Sequence, residues 1–241
     1  MTQVDNKTKK PRVRGIYLLP NLFTVAALFD GFYAIVAATK DLFGVAALAI
    51  FVAMLLDALD GRIARLTHSQ SEFGAQMDSL SDMVCFGLSP ALVLYIWSLS
   101  VMGKAGWLAA FFYTVCSALR LARFNSQSHN DDKRYFQGLA VPAAAGVVAG
   151  AIWVCSEFHI PGPDYALIVT IVTIILGLLK VSTIRYRSFK DLDIRGKVPF
   201  MVILIIVLLI VLISFDPPIV LLVIFSSYVL SGPLGTLWAL R

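Results

Sequence analysis

Charge is scarce in this sequence. Only 15% of its 241 residues are Asp, Glu, Lys or Arg, and His occurs three times. An ordinary soluble domain is about a quarter charged. The three cysteines, Cys85, Cys116 and Cys155, stand singly in apolar stretches, which excludes a disulfide framework and a thiolate metal site. No aromatic-interleaved basic patch lies on a soluble domain, so the net charge of +5 does not point to nucleic acid. Internal repeats and low-complexity tracts are missing. No segment reads as a cleaved leader: the N-terminus is polar and basic, and the first apolar run is too long and has no small-residue cleavage site.

What fills the chain is hydrocarbon. It is 59% hydrophobic, with a mean hydropathy of +0.81. Apolar runs of about 17–25 residues, the length that crosses a bilayer, recur throughout. The expected fold is an all-α polytopic membrane bundle of about eight transmembrane helices. Their ranges are roughly 16–37, 43–65, 74–99, 106–124, 139–156, 165–183, 198–215 and 218–239. Residues 1–15 form a basic N-terminal segment, 16–190 a membrane core, and 191–241 two additional C-terminal helices. Among the 20 Lys and Arg residues, only Lys40 and Lys104 fall on the side opposite the N-terminus. That bias places the N-terminus in the cytosol.

The acidic residues then stand out. Asp57 and Asp60 lie near the end of the second span, and Asp78 and Asp82 near the start of the third. On the second helix, Asp57, Asp60, Gly61, Ala64 and Arg65 share a face at i, i+3, i+4, i+7 and i+8. On the third, Gly74, Asp78 and Asp82 do the same, with Ser71 placed to cap the helix and Glu72 in its first turn. At about 1.5 Å per residue, Asp57 stands roughly 12 Å from the level of Arg65, and Asp82 roughly 12 Å from that of Gly74. The chain reverses between the helices. Asp57 therefore comes level with Asp82, and Asp60 with Asp78, just inside the cytosolic boundary.

Four unpaired carboxylates there would cost up to roughly 10–14 kcal/mol on insertion scales, before their repulsion is added. Two divalent cations would balance them, and hard oxygen ligands suit Mg2+ or Mn2+. Gly61, Ala64 and Gly74 leave room for a large ligand, and Arg65 suits a diphosphate oxygen. Together these features read as a two-metal phosphoryl-type displacement, with one carboxylate free to act as base. Competing readings are a membrane prenyltransferase, which also pairs Asp motifs with magnesium, and a cation-coupled transporter.

The run Asp57-x2-Asp60-Gly61-x2-Ala64-Arg65-x8-Gly74-x3-Asp78-x3-Asp82 resembles the signature of the CDP-alcohol phosphotransferases at every defined position. The resemblance implies a six-helix core over roughly 16–185 and release of CMP. It implies that Asp57, Asp60, Asp78 and Asp82 are metal ligands, with Asp82 also the general base. Asp60, Gly61, Ala64, Arg65 and Gly74 would contact the CDP moiety, with Asn21 and Thr24 of Pro20-Asn21-Leu22-Phe23-Thr24 as neighbours. It also implies a homodimer.

Three stretches resemble the integral-membrane phosphatidylserine synthases of bacteria. They are Arg120-Leu121-Ala122-Arg123-Phe124-Asn125, the run from Gly138 to Ala145, and the run from Ser182 to Lys190. Many of those carry Pro where this chain has Ala140. The implied substrates are CDP-diacylglycerol and L-serine, and the implied location is the bacterial inner membrane, with the site at the cytosolic face. Arg120 and Arg123 share a helix face and are expected to bind the serine carboxylate or the lipid phosphate, with Asn125, Arg185 and Lys190 as further candidates. Glycerol phosphate and inositol phosphate are the alternative acceptors. Asp30, inside the first span, has no role in this reading.

Overall fold

The computed structural model describes residues 18–67, 69–126, 135–187 and 200–239. The first two apolar runs form α1 (Leu18–Ala38) and α2 (Phe43–Leu66), packed side by side. The third run opens as α3 (Glu72–Asp82), widens into a π-helical turn (Met83–Leu88) and continues as α4 (Ser89–Trp97). Then come α5 (Lys104–Ser126), α6 (Val141–Glu157), α7 (Ala166–Val181), α8 (Phe200–Phe215) and α9 (Pro217–Ala239).

Six helical stretches among the described residues are long and apolar enough to cross a membrane. The chain is an integral membrane protein. Among the described residues α6, at 17 residues, is an apolar helix shorter than those six stretches. A helix of that length covers about 25 Å, short of the roughly 30 Å hydrocarbon core.

The bundle is helical, as expected, and one short ribbon is added to it. Residues Tyr135–Gln137 (β1) and Arg185–Arg187 (β2) pair as a two-stranded antiparallel ribbon, with Phe136 opposite Tyr186. The Gly138 N–H donates to the Ile184 carbonyl at 2.9 Å, and the Leu139 N–H to the Leu179 carbonyl at 2.9 Å. The connection entering α6 and the chain leaving α7 meet at one end of the bundle. Pairing satisfies backbone groups that neither helix can reach.

The core is built from small residues. Ala34 and Ala38 of α1 and Ala46, Ala47 and Ala53 of α2 are fully buried. Small side chains let helix backbones approach closely, which drives packing where both lipid and helix are apolar. At Gly31, α1 approaches the π-helical turn closely. A Cβ there would lie 2.7 Å from Cys85 Sγ and 2.9 Å from Cys85 Cα. The Cys85 thiol in turn donates to the Ala27 carbonyl at 3.1 Å.

The π turn begins immediately after Asp82. Its widened backbone offers carbonyls to α5: Tyr113 Oη donates to Phe86 O and Thr114 Oγ1 to Gly87 O, each at 3.4 Å. Such turns often sit beside functional residues. Here the turn lies outside the Gly74–Asp82 segment, so the i, i+4, i+8 alignment of that segment is intact.

Candidate active site

Two antiparallel helices carry the carboxylates. Ser71 caps α3 as its residue type suggests: its Oγ accepts from the Gly74 N–H at 3.0 Å. Glu72 occupies the first turn, where negative charge is favoured. The 67–71 connection brings α3 back against the end of α2. Asp57, Asp60 and Asp78 each present a ligand atom, and these atoms lie within 4.8 Å of one another. Asp57 is also within hydrogen-bonding reach of Asp82.

Asp60 is almost fully buried and receives a 2.7 Å hydrogen bond from Thr24 Oγ1 on α1. Thr24 is itself held, since Ser81 Oγ donates to its carbonyl at 3.3 Å. Its hydroxyl is engaged with Asp60 and aims that carboxylate. Asn21 lies nearer the other end of the site: a Cβ on Gly74 would meet Asn21 Oδ1 at 3.5 Å. One Cβ placed on Gly61 would meet nothing within 4 Å, so open space adjoins the carboxylates there.

No Lys or Arg among the described residues stands within ion-pair distance of the four aspartates. Arg62 and Arg65 are exposed at the end of α2 and do not neutralise them. Asp82 Oδ1 is buried with no hydrogen-bond partner. An all-oxygen donor set, crowded, partly buried and with no ion-pair partner among the described residues, fits hard divalent cations.

The basic candidates separate. Arg123 is exposed, and its Nη1 donates to the Val181 carbonyl at 3.2 Å, capping the end of α7. Asn125 Nδ2 donates to Ser79 Oγ at 2.9 Å, which ties the end of α5 to α3 one residue from Asp78. Arg120 is different. Its Nε is buried without a hydrogen-bond partner, and its charge is within electrostatic reach of Asp82. Arg185 lies in β2, and Lys190 falls outside the described residues.

One residue near this end was read only as a topological charge. Lys180 is fully buried. Its Nζ donates to Ser117 Oγ at 2.7 Å and stands 2.9 Å from the centroid of the Tyr113 ring. Its sequence position, the last turn of an apolar helix, looks like an ordinary interfacial anchor. Nothing local distinguishes a lysine turned inward from one turned to the headgroups.

Comparison with known proteins gives the same bearing. Residues 17–179 match the model of the CDP-alcohol phosphatidyltransferases. A CDP-diacylglycerol–serine O-phosphatidyltransferase of Helicobacter pylori is 35% identical over 193 residues, covering 80% of this chain and 81% of that protein. A protein of the same description from Methanocaldococcus jannaschii is 31% identical over 179 residues, 74% of this chain and 78% of its own. An archaetidylserine synthase of Methanothermobacter thermautotrophicus is 29% identical over 177 residues, 73% of this chain and 72% of its own. The matched region contains both helices that bring the aspartates together, and two of these relatives exceed 30% identity over most of their length. The chain therefore belongs to the CDP-alcohol phosphatidyltransferase family.

Proposed function

We propose that this protein transfers the phosphatidyl group of CDP-diacylglycerol to the hydroxyl of L-serine, giving phosphatidylserine and CMP. The observation that carries the reading is the carboxylate pocket of Asp57, Asp60 and Asp78 with Asp82 beside it. The serine acceptor rests on the named activities of the relatives. In this reading the site opens to the cytosolic side of a bacterial inner membrane, and the protein is a homodimer.

Asp57, Asp60, Asp78 and Asp82 would hold two Mg2+ or Mn2+ ions. Bound there, the ions would neutralise the diphosphate and stabilise charge on the oxygens of an in-line displacement. Asp82, at the edge of the triad, takes the proton of the serine hydroxyl. That oxygen bonds to the phosphatidyl phosphorus while the bond from phosphorus to the CMP oxygen breaks. Arg65, exposed where α2 ends, meets the diphosphate. The open space at Gly61 admits the nucleotide close to the backbone. Arg120 receives the serine carboxylate.

Purified protein with CDP-diacylglycerol and a divalent ion should release CMP only when serine is supplied. Glycerol phosphate or inositol phosphate in its place should give little CMP. Release driven equally well by a phosphorylated alcohol would overturn the choice of acceptor. Diphosphate release would overturn the reaction class.

The Thr24–Asp60 bond gives a second expectation. Hydrogen bonds to charged groups contribute about 1.5–3 kcal/mol. Thr24→Val should thus lower kcat/KM by about tenfold or more at limiting divalent ion, and Thr24→Ser should restore most of it. A Val variant with unchanged metal dependence would remove this role.

A further inference from the structure

We propose that the π turn in the third span aims Asp78 and Asp82 at the ion site, and that Tyr113 on α5 is the positioning residue that holds the turn open. This inference rests on the reading of the four aspartates as ion ligands. It gives a role to residues outside the signature run that ends at Asp82.

The turn has a cause in the sequence. Pro90 follows it, fully buried, within the helical stretch Glu72–Trp97. In a regular α-helix the Phe86 carbonyl would accept from the N–H of residue 90. Proline has no N–H, and its ring crowds the carbonyl four residues back. The backbone widens here instead: the Ser89 N–H donates to the Val84 carbonyl, five residues back.

The widening changes the way α3 faces. A regular helix advances about 100° per residue. Counted back from Leu94, which is buried in the bundle, a straight α-helix would put Asp82 about 120° and Asp78 about 160° round the axis. Both carboxylates would then turn away from the packed side of α4. A π turn takes in about one extra residue, or about 100° of rotation. That brings Asp82 to about 20° and Asp78 to about 60° from Leu94, on the side that packs into the bundle. The observed site agrees. Asp78 groups with Asp57 and Asp60, and Asp82 reaches Asp57.

The widened turn has carbonyls in need of donors, and α5 supplies them. Tyr113 Oη donates to Phe86 O, the carbonyl that Pro90 cannot serve, and Thr114 Oγ1 donates to Gly87 O. The fully buried Tyr113 ring is pinned in turn. The Lys180 ammonium stands 2.9 Å from the ring centroid and donates to Ser117 Oγ, one turn along α5. Ser117 also presses on the turn: a Cβ on Gly87 would lie 3.1 Å from Ser117 Cβ. Lys180 therefore braces the ring whose hydroxyl serves the turn.

The test measures Mn2+ binding at equilibrium by electron paramagnetic resonance, beside CMP release, on the full-length protein in nanodiscs. Tyr113→Phe keeps the ring against Lys180 and removes only the donor to Phe86 O. Its Mn2+ affinity should fall about three- to tenfold, the effect of one hydrogen bond. Pro90→Ala returns the missing N–H and lets the helix close into regular α form, which turns Asp78 and Asp82 off the site. Its affinity should fall about tenfold or more, as when a ligand loses the partner that orients it. CMP release at limiting Mn2+ should fall in step, and saturating Mn2+ should restore most of it in Tyr113→Phe.

Asp57→Asn sets the reference. If it binds Mn2+ as tightly as wild type, the carboxylates are not the ion site, and the reading beneath the proposal fails. If Asp57→Asn loses the ions while Tyr113→Phe and Pro90→Ala both keep wild-type affinity, the turn does not aim the carboxylates and the proposal is overturned. A lowered melting temperature in those two variants with Mn2+ affinity unchanged would make the turn a packing feature only, and would also overturn it. Loss of affinity in Pro90→Ala alone would uphold the turn and remove Tyr113 from the role.

Discussion

Asp82→Asn should abolish phosphatidyl transfer while leaving CDP-diacylglycerol binding nearly intact. General-base assistance contributes about 10²–10⁴ in rate, so kcat should fall by about three orders of magnitude. Placement favours Asp82 over the other three. Asp57, Asp60 and Asp78 group their ligand atoms within 4.8 Å, and Asp82 stands outside that triad, in reach of Asp57. One of its oxygens is buried with no hydrogen-bond partner. A carboxylate oxygen left in that state costs free energy in the resting protein. A substrate hydroxyl donating to it would remove the cost. Asn keeps the size of the side chain and can still offer an oxygen to an ion, but it cannot accept the proton. Equilibrium binding of the CDP-lipid and CMP release should therefore part company. Turnover at the wild-type rate in Asp82→Asn would exclude the residue as base.

The legible part of this site was legible for a geometric reason. The four aspartates, Gly61, Ala64, Arg65 and Gly74 lie on two regular helices joined by a short connection. Helix periodicity and rise are enough to place such residues relative to one another. The Ser71 cap followed from residue type in the same way. What stayed hidden depends on contacts between distant segments. The Thr24–Asp60 bond spans 36 positions, and Lys180 reaches Ser117 across 63. Three-residue strands at 135–137 and 185–187 carry no periodic signal of their own, and exist only because two chain connections meet. The length of α6 stayed open because hydropathy cannot separate 17 helical residues from a slightly longer apolar run. Gly146 and Gly150 of α6, which seat Phe225 and Leu222 of α9, look ordinary in sequence, since Gly in an apolar helix marks a close approach without naming the partner.

Removing one charge from the carboxylate cluster should have opposite effects with and without divalent ions. Asp57 is the residue to change, because it is in reach of both Asp78 and Asp82 and is coupled electrostatically to Asp60. Without ions, four crowded carboxylates and no cation within ion-pair distance make the pocket a source of strain on the fold. Asp57→Asn relieves repulsion on three neighbours at once, so the ion-free variant should melt higher than the ion-free wild type. Adding Mg2+ or Mn2+ should reverse the order. A ligand present at a hundred times its dissociation constant stabilises the folded state by about 2.7 kcal/mol. Wild type should show that gain as a clear rise in melting temperature, and the variant should lose most of it. Turnover should fall with it by about 10³-fold, since an electrostatic contribution of several kcal/mol to the displacement is lost. Thermal melts at graded ion concentration, read beside CMP release, separate the two effects. If Asp57→Asn kept the full ion-dependent shift, the carboxylates would not be the place where ions bind. If the ion-free variant melted lower than wild type, Asp57 would be holding the fold through its contacts, and repulsion would not be the dominant force in the pocket.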